Sequence, residues 1–409
     1  MNTTDARYPA ATRADALERL SAFVPLAGRT YAAKRNFDFG PGRHAHVSTL
    51  SPYIRHRLIT EQEVIEAVLQ SHTHAAAEKF IQEVCWRTYW KGWLEQRPGV
   101  WDAYCVERDD IRLQLRDDIA LAAEVAAAER GDTGIACFDA WVRELAETGY
   151  LHNHARMWFA SIWIFTLRLP WTLGADFFYR QLLDGDPASN TLSWRWVAGL
   201  HTRGKTYLAR PDNIATYTEG RFAPSREELS SVATALPGTA DAPRVALAVA
   251  ATPKPGSRAL LLLTDEDLNP ETWHLHGIDV SGVAILVPDV DAGSPSPLVR
   301  DFKWTARADA TARAARRWGS TPIEVATPSE LAAYAHQCRT TSCITSHVPV
   351  GPTRTALEPW VAECARQAMP LVQISRDWDR LFWPHATAGF FKLKERIPRI
   401  LSELGISNS

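Results

Sequence analysis

Between Tyr31 and Phe222 the apolar positions follow a helical rhythm, with Pro and Gly falling at the ends of segments and few β-branched runs. The pattern predicts helices over 52–70, 75–95, 135–149, 151–167 and 174–183. A stretch rich in Pro, Ala, Ser and Gly follows, over 223–257, and reads as a linker or loosely packed crossover. Beyond it the rhythm changes. Short apolar runs of strand length occur at 259–264, 283–287, 323–326, 343–347 and 371–374, separated by helical patterns at 306–318, 328–338, 353–368 and 389–404. Strands alternating with helices imply βαβ units and a mostly parallel sheet. The expected fold class is therefore multi-domain, α and α/β. A leader occupies 1–24, an N-terminal all-α domain 25–222, a linker 223–257, and a C-terminal α/β domain 258–409. There is no internal repeat and no low-complexity tract.

Composition narrows the picture. The 409 residues suffice for two or three domains, and 16 of them are tryptophan, concentrated in the first half. A formal net charge of −2 supplies no global basic field, so any nucleic-acid binding needs a local patch. Six scattered cysteines without a C-x-x-C pair argue against zinc and against a secreted disulfide framework. The N-terminus lacks the apolar core of a signal peptide. The longest strongly apolar run, Trp158 to Leu167, is half of the roughly 20 residues that cross a bilayer. A cytoplasmic protein without membrane contact is expected, as a monomer.

The densest chemistry lies in 149–196. There Asn153 and Arg156 precede the acidic loop Asp184-Gly185-Asp186-Pro187, and Asn190, Trp194 and Trp196 follow. Polar groups in so aromatic a stretch will be buried, and an orphaned buried charge costs about 3–5 kcal/mol. One arrangement pairs Arg156 with Asp184 and leaves Asp186 and Asn190 to hold a bound polar group, for which a flat heteroaromatic cofactor is suitable. The H-x-H pairs at 44/46, 72/74 and 152/154 have no third ligand at matching spacing, so no metal is expected.

Four stretches carry a family resemblance. They are Tyr31-x3-Arg35-Asn36 with Ser48-Thr49-Leu50-Ser51-Pro52-Tyr53; Glu83-Val84-Cys85-Trp86-Arg87-Thr88-Tyr89-Trp90; Thr148-Gly149-Tyr150-Leu151-His152-Asn153-His154-Ala155-Arg156-Met157; and Leu183-Asp184-Gly185-Asp186 leading to Asn190, Trp194, Arg195 and Trp196. Together they resemble, in order, the helical FAD-binding domain of the DNA photolyase and cryptochrome family, over about half of the chain. The resemblance implies FAD as cofactor, held by Tyr31, Ser48, Thr49, Leu50, Ser51, Arg87, Asn153, Arg156, Asp184, Asp186 and Asn190. It implies that the helix start at Ser51 faces the FAD diphosphate, which suits the exposed N–H groups of a helix N-terminus. It implies that Glu83, Trp86, Met157 and Trp196 line the hollow for a flipped pyrimidine dimer. Asn190 would lie near the flavin N5, and Trp194 and Trp171 would begin an electron chain to the flavin, so that Glu83, Asn190, Trp194 and Trp171 are the candidate catalytic residues. Arg195, Arg203, Lys205 and Arg210 form the local basic cluster that phosphate binding needs.

The implied function is light-driven repair of cyclobutane pyrimidine dimers by reduced FAD in UV-damaged DNA, with single strands favoured. The alternative is a non-catalytic blue-light photoreceptor of cryptochrome type. There are departures from the family pattern. Val47 stands where the family usually has Thr, Tyr150 replaces a Trp, and no Trp occurs between 102 and 140 for the last electron donor, leaving Trp101 and Trp163 as substitutes. The family places its α/β antenna domain before the helical one. Here the expectation is a Rossmann-like unit after it, docked in reversed chain order and lacking G-x-G-x-x-G. Gly351-Pro352-Thr353 is a helix start that could hold a phosphate, though a plain N-terminus suffices.

Overall fold

The structure, a computed structural model, describes residues 10–238, 242–249, 251–287, 294–340 and 342–406. Its first half is helical around one long element, His74–Glu95, opened by Thr73, whose side chain accepts from Ala76 N. Ala136–Thr148 and Trp171–Gln181 follow close to the expected bounds, Asn153–Ser161 covers the first part of its expected range, and Pro187–Val197 has no counterpart among the expected helices. Gly99–Gln114 and Ile119–Arg130 were not expected either. No helix among the described residues is long and apolar enough to cross a membrane.

The helix predicted over 52–70 is corrected to two, Ser51–Arg55 and Glu61–Leu69. Thr60 starts the second with a reciprocal cap: its hydroxyl accepts from Glu63 N, and the Glu63 carboxylate accepts from Thr60 N at 2.8 Å. The turn between them holds Arg57 at φ +51°, an uncommon conformation for a non-glycine residue. Buried ion pairs fix it there. Arg57 donates twice to Asp379, at 2.7 and 2.8 Å. The helix predicted over 151–167 also ends early, since Asn153–Ser161 passes into a π-helical turn, Ile162–Thr166, ahead of Pro170.

The second half contains five parallel strands in the order β3-β2-β1-β4-β5: β1 Arg258–Leu263, β2 Asp279–Leu286, β3 Ile323–Val325, β4 Cys343–Ser346 and β5 Leu371–Ile374. All five coincide with the predicted apolar runs. Side chains alternate between sheet faces. Leu260 and Leu262 of β1 therefore pack with Leu331, Leu357 and Trp360 of the crossover helices. Ala259, Leu261 and Leu263 join the same core as the helical half. The sheet is thus buried on both sides, as parallel sheets are.

After β5 the chain leaves the sheet and returns to the long helix through Asp377–Phe382, Phe390–Lys394 and Ile397–Glu403. Trp378 Nε1 donates to Thr88 Oγ1 at 2.9 Å, and Phe390 stacks on Trp86 with ring centroids 3.9 Å apart. Gly92 permits the contact at the far end: a Cβ there would meet the Trp383 backbone Cα at 2.9 Å.

One further glycine shapes the helical core. At Gly174 an added Cβ would collide with the Trp194 ring and lie 2.9 Å from Trp163 Cε2. Gly174→Ala is expected to cost about 1–3 kcal/mol through overpacking, despite the better helix propensity of alanine. Urea unfolding followed by circular dichroism measures it; unchanged stability would mean that Trp194 is not packed against this helix.

Candidate cofactor-binding site

A cavity of about 500 Å³ opens between the loop 47–51, the long helix, the helix Asn153–Ser161 and the segment from Asp184 to Val197. This is the size of an ordinary small-molecule site. Its walls include all eleven residues expected to hold the cofactor: Tyr31, Ser48, Thr49, Leu50, Ser51, Arg87, Asn153, Arg156, Asp184, Asp186 and Asn190. Thr49 holds φ +50° there, its hydroxyl donating to Ser48 O at 2.7 Å. The helix that opens at Ser51 has only five residues, so it offers unpaired N–H groups more than an aligned dipole.

The acidic loop is positioned by its own backbone. Asp186 caps the helix Pro187–Val197, its Oδ1 accepting from Ser189 N at 2.7 Å. Arg156 donates to Asp184 Oδ2 at 3.0 Å, the pairing anticipated from the sequence, and the Arg87 guanidinium lies 3.9 Å from each carboxylate. Lys91 Nζ is 3.4 Å from Asp186 Oδ2, and Arg55 Nε is 3.7 Å from it. Burial pushes both carboxyls up, but the cations outweigh it: Arg156 and Arg87 hold Asp184 below the usual range, and Lys91, Arg55 and Arg87 do the same for Asp186. Both are therefore carboxylates. Asn190 is fixed by donating Nδ2 to Ala175 O at 2.7 Å, which leaves its amide oxygen as an acceptor.

Of the substrate-wall candidates, Glu83, Trp86, Met157 and Trp196 also line this cavity. Glu83 is paired with Arg35; burial raises its carboxyl, and the guanidinium only partly opposes that. Trp86 is backed by Phe390 from the C-terminal helices. Arg195, Arg203, Lys205 and Arg210 do not line the cavity, and Arg210 pairs with Asp212 at 3.2 Å. Trp194 lines it, whereas Trp171 is buried elsewhere and donates to Glu107 at 3.0 Å. Ring contacts run from Trp171 to Tyr104 at 5.6 Å and on to Trp101 at 5.2 Å, while Trp163 lies 6.3 Å from Trp194.

Sequence reasoning did not select Arg35, Asn36, Trp90, Tyr150 or His154 as site residues, yet all line the cavity. Nor did it select Lys91, although Glu83, Arg87 and Lys91 share one helical face at spacings of four. A lysine on the face of a tryptophan-rich helix was the available signal. Gly351-Pro352-Thr353 does not bear on a phosphate in this structure: Thr353 donates to the Glu266 carboxylate at 3.1 Å. Asp38, His44 and Glu144 bring ligand-type atoms within 4.8 Å of one another. Protein partners already engage them, since Asp38 accepts from Trp141, Gly40 and Arg221, and His44 pairs with Glu144 at 3.0 Å.

Four buried polar atoms on the cavity wall have no hydrogen-bond partner: Asp184 Oδ1, Asp186 Oδ2, Arg87 Nη1 and Ser189 Oγ. Buried polar groups are almost always satisfied. Convergent orphans of both signs, beside the apolar walls Leu50, Phe178 and Trp194, fit a planar polar heteroaromatic group with a charged tail. The fold and site thus define a helical cofactor-binding domain joined to a parallel α/β sheet.

Residues 80–221 match the family model of the FAD binding domain of DNA photolyase. The chain is 31% identical over 196 residues to a deoxyribodipyrimidine photo-lyase of Alkalihalophilus pseudofirmus, covering 47% of this chain and 39% of the relative. It is 33% identical over 180 residues to the photo-lyase of Streptomyces griseus, covering 41% and 38%, and 30% identical over 213 residues to that of Escherichia coli, covering 50% and 42%. The chain thus spans about two fifths of the length of these relatives. Among solved structures a Synechocystis cryptochrome overlaps 54% of this chain and 46% of its own, at 22% identity and a TM-score of 0.43.

Three histidines set a pH dependence, His56, His152 and, pushed down by burial and by Arg35, the cavity-lining His154. Burial and Arg55 push His56 down to about 4, and burial, with His44 and His154, pushes His152 down to about 4. The unfolded chain binds protons near pH 6.5, which the folded chain refuses until about pH 4. Stability is therefore full above 6.5 and falls through that window, by up to about 1.4 kcal/mol per pH unit for each histidine. Below it, protonation of Asp184 and Asp186 extends the loss, since their folded affinities for protons are depressed. Urea titrations between pH 7 and 4 should show this slope, and His152→Gln should flatten it; an equal slope in the variant would exclude His152 as its source.

Proposed function

We propose that this protein is a light-driven, FAD-dependent enzyme that splits cyclobutane pyrimidine dimers in UV-damaged DNA, with single strands favoured. The observation that carries the reading is one cavity whose lining collects eleven positions suited to FAD, ten of them polar, together with the aromatic residues Trp86 and Trp196. When bound and reduced, the flavin supplies the light-excited electron that opens the cyclobutane ring and receives it back.

The protein's residues bind, orient and exclude water. Ser48, Thr49, Leu50 and Ser51 meet the phosphate end, where main-chain N–H groups can donate to its oxygens. Arg156 keeps Asp184 ionised and in place, and Lys91, Arg55 and Arg87 keep Asp186 ionised beside it. Asn190, with its nitrogen committed to Ala175, presents its oxygen, which suits a donor on the reduced ring. Trp86 and Trp196 repay the extrusion of the lesion: unstacking costs a few kcal/mol, least for a damaged base, and each aromatic surface returns roughly 1–3 kcal/mol. Glu83, held by Arg35, stands beside them as the polar group for the base edge. Trp194 and Trp171 begin the path for electrons entering the cofactor, and Tyr104 with Trp101 continues it. The exposed Arg203, Lys205 and Arg210 carry charge toward the DNA backbone.

The test illuminates purified, chemically reduced protein with blue light in the presence of an oligonucleotide containing a thymine dimer, and follows dimer loss by chromatography. Wild type should restore the bases, and Trp86→Ala and Trp196→Ala should each weaken oligonucleotide binding about tenfold while keeping FAD. A light-responsive flavoprotein that leaves the dimer intact would overturn repair and favour the photoreceptor reading. Equal repair of duplex and single strand at matched salt would remove the strand preference.

A further inference from the structure

The sheet order places a crossover between β1 and β4, and in open parallel sheets the crevice beyond the carboxyl ends of such strands is where ligands bind. Here that crevice is filled. The turn after β1 carries three consecutive acids, Asp265, Glu266 and Asp267, and the helical half presents Arg55, His56 and Arg57 to them. Arg55 forks onto Glu266 at 2.7 and 2.9 Å, His56 Nδ1 bonds Asp265 O at 2.7 Å, and Arg57 Nη1 lies 3.6 Å from Asp267. Thr353, from the helix after β4, donates to Glu266 from the other side of the crossover.

This contact reaches the cofactor cavity. Arg55 also donates Nε to Gly185 O at 2.8 Å, within the acidic loop, and lies 3.7 Å from Asp186. Lys91 sits between the two carboxylates, 3.4 Å from Asp186 and 3.9 Å from Glu266. Arg55, Lys91, Asp186 and Glu266 are all at most 4% exposed. Three cations, Arg55, Lys91 and Arg87, surround Asp186 Oδ2, and yet that oxygen has no hydrogen bond. Glu266 shares these cations with Asp186: it takes the Arg55 fork and lies within reach of the Lys91 charge.

We infer that Glu266, contributed by the α/β half, is a positioning residue of the cofactor site, holding Arg55 and Lys91 off Asp186 and limiting the positive charge around it. The α/β half thereby acts on the cofactor by closing its ionic frame, with the sheet crevice given over to that task. This inference rests on the reading that the cavity binds flavin. Removing the Glu266 charge leaves the frame one unit more positive, which favours the electron-rich, anionic form of a bound flavin.

The experiment measures the midpoint potential of the flavin in the FAD-loaded full chain by dye equilibration, beside its thermal midpoint, for wild type, Glu266→Gln and Glu266→Asp. Glu266→Gln should bind FAD and shift the oxidised-to-reduced equilibrium toward reduced about tenfold, roughly 30 mV upward for a two-electron couple. Glu266→Asp keeps the charge but withdraws it by one methylene, so it should restore most of the wild-type potential while sharing the loss of thermal stability. Should Glu266→Gln not fold, a smaller upward shift in Glu266→Asp still supports the inference. A potential unchanged in every folded variant, whatever the stability, overturns it and leaves the flavin reading intact. A wild-type protein that takes up no FAD overturns both.

Discussion

Two ionised carboxylates, Asp184 and Asp186, sit almost fully buried at the wall of a cavity, and much of the structure answers the need to keep them there. Burial alone would protonate them or expel them, since an unpaired buried charge costs several kcal/mol, on the order of 3–5. Arg156 answers for one; Lys91, Arg55 and Arg87 answer for the other. These cations come from separate elements: a five-residue helix, the long helix, and the helix after His152. Their convergence requires the helical half to pack as it does. Asp184 Oδ1 and Asp186 Oδ2 are left without a hydrogen bond in this frame.

The ionic frame continues across the chain. Arg57 is itself left-handed, a conformation that is costly for arginine, and it and Arg55 each donate to a carboxylate from the second half, Asp379 and Glu266. Breaking one buried pair leaves its partner uncompensated, so the halves are held by specificity as well as by their shared apolar core. The helices after β5 add a third contact, backing Trp86 with Phe390. The cavity therefore depends on residues from both ends of the sequence.

Periodicity was enough to find the five strands and most of the helices, because burial on one or both faces writes a clear pattern into the sequence. Gly99–Gln114 escaped because only Val100, Trp101 and Tyr104 of its sixteen residues are buried, a narrow stripe among charges. The break at residues 56–60 has one local signal, the capping pair Thr60 and Glu63, which was passed over; its other cause is tertiary, since Arg57 is pinned by Asp379, more than three hundred residues away. The same limit applies at the site. Residues inside long motifs, such as Arg156 and Asp184, could be brought together from the sequence. Lys91, Arg55 and Glu266 could not, since a charged side chain reads as solvated until its partner is known. What was hardest to see was the part of the site that the two halves build jointly.

The central claim is that this cavity holds one FAD. Heat-denaturing the protein as purified and quantifying the released flavin by chromatography tests it most directly. The account predicts close to one FAD per chain, falling steeply in Asp186→Ala. A protein that releases no flavin and takes up none when FAD is added, or an Asp186→Ala variant that retains the full amount, would contradict it.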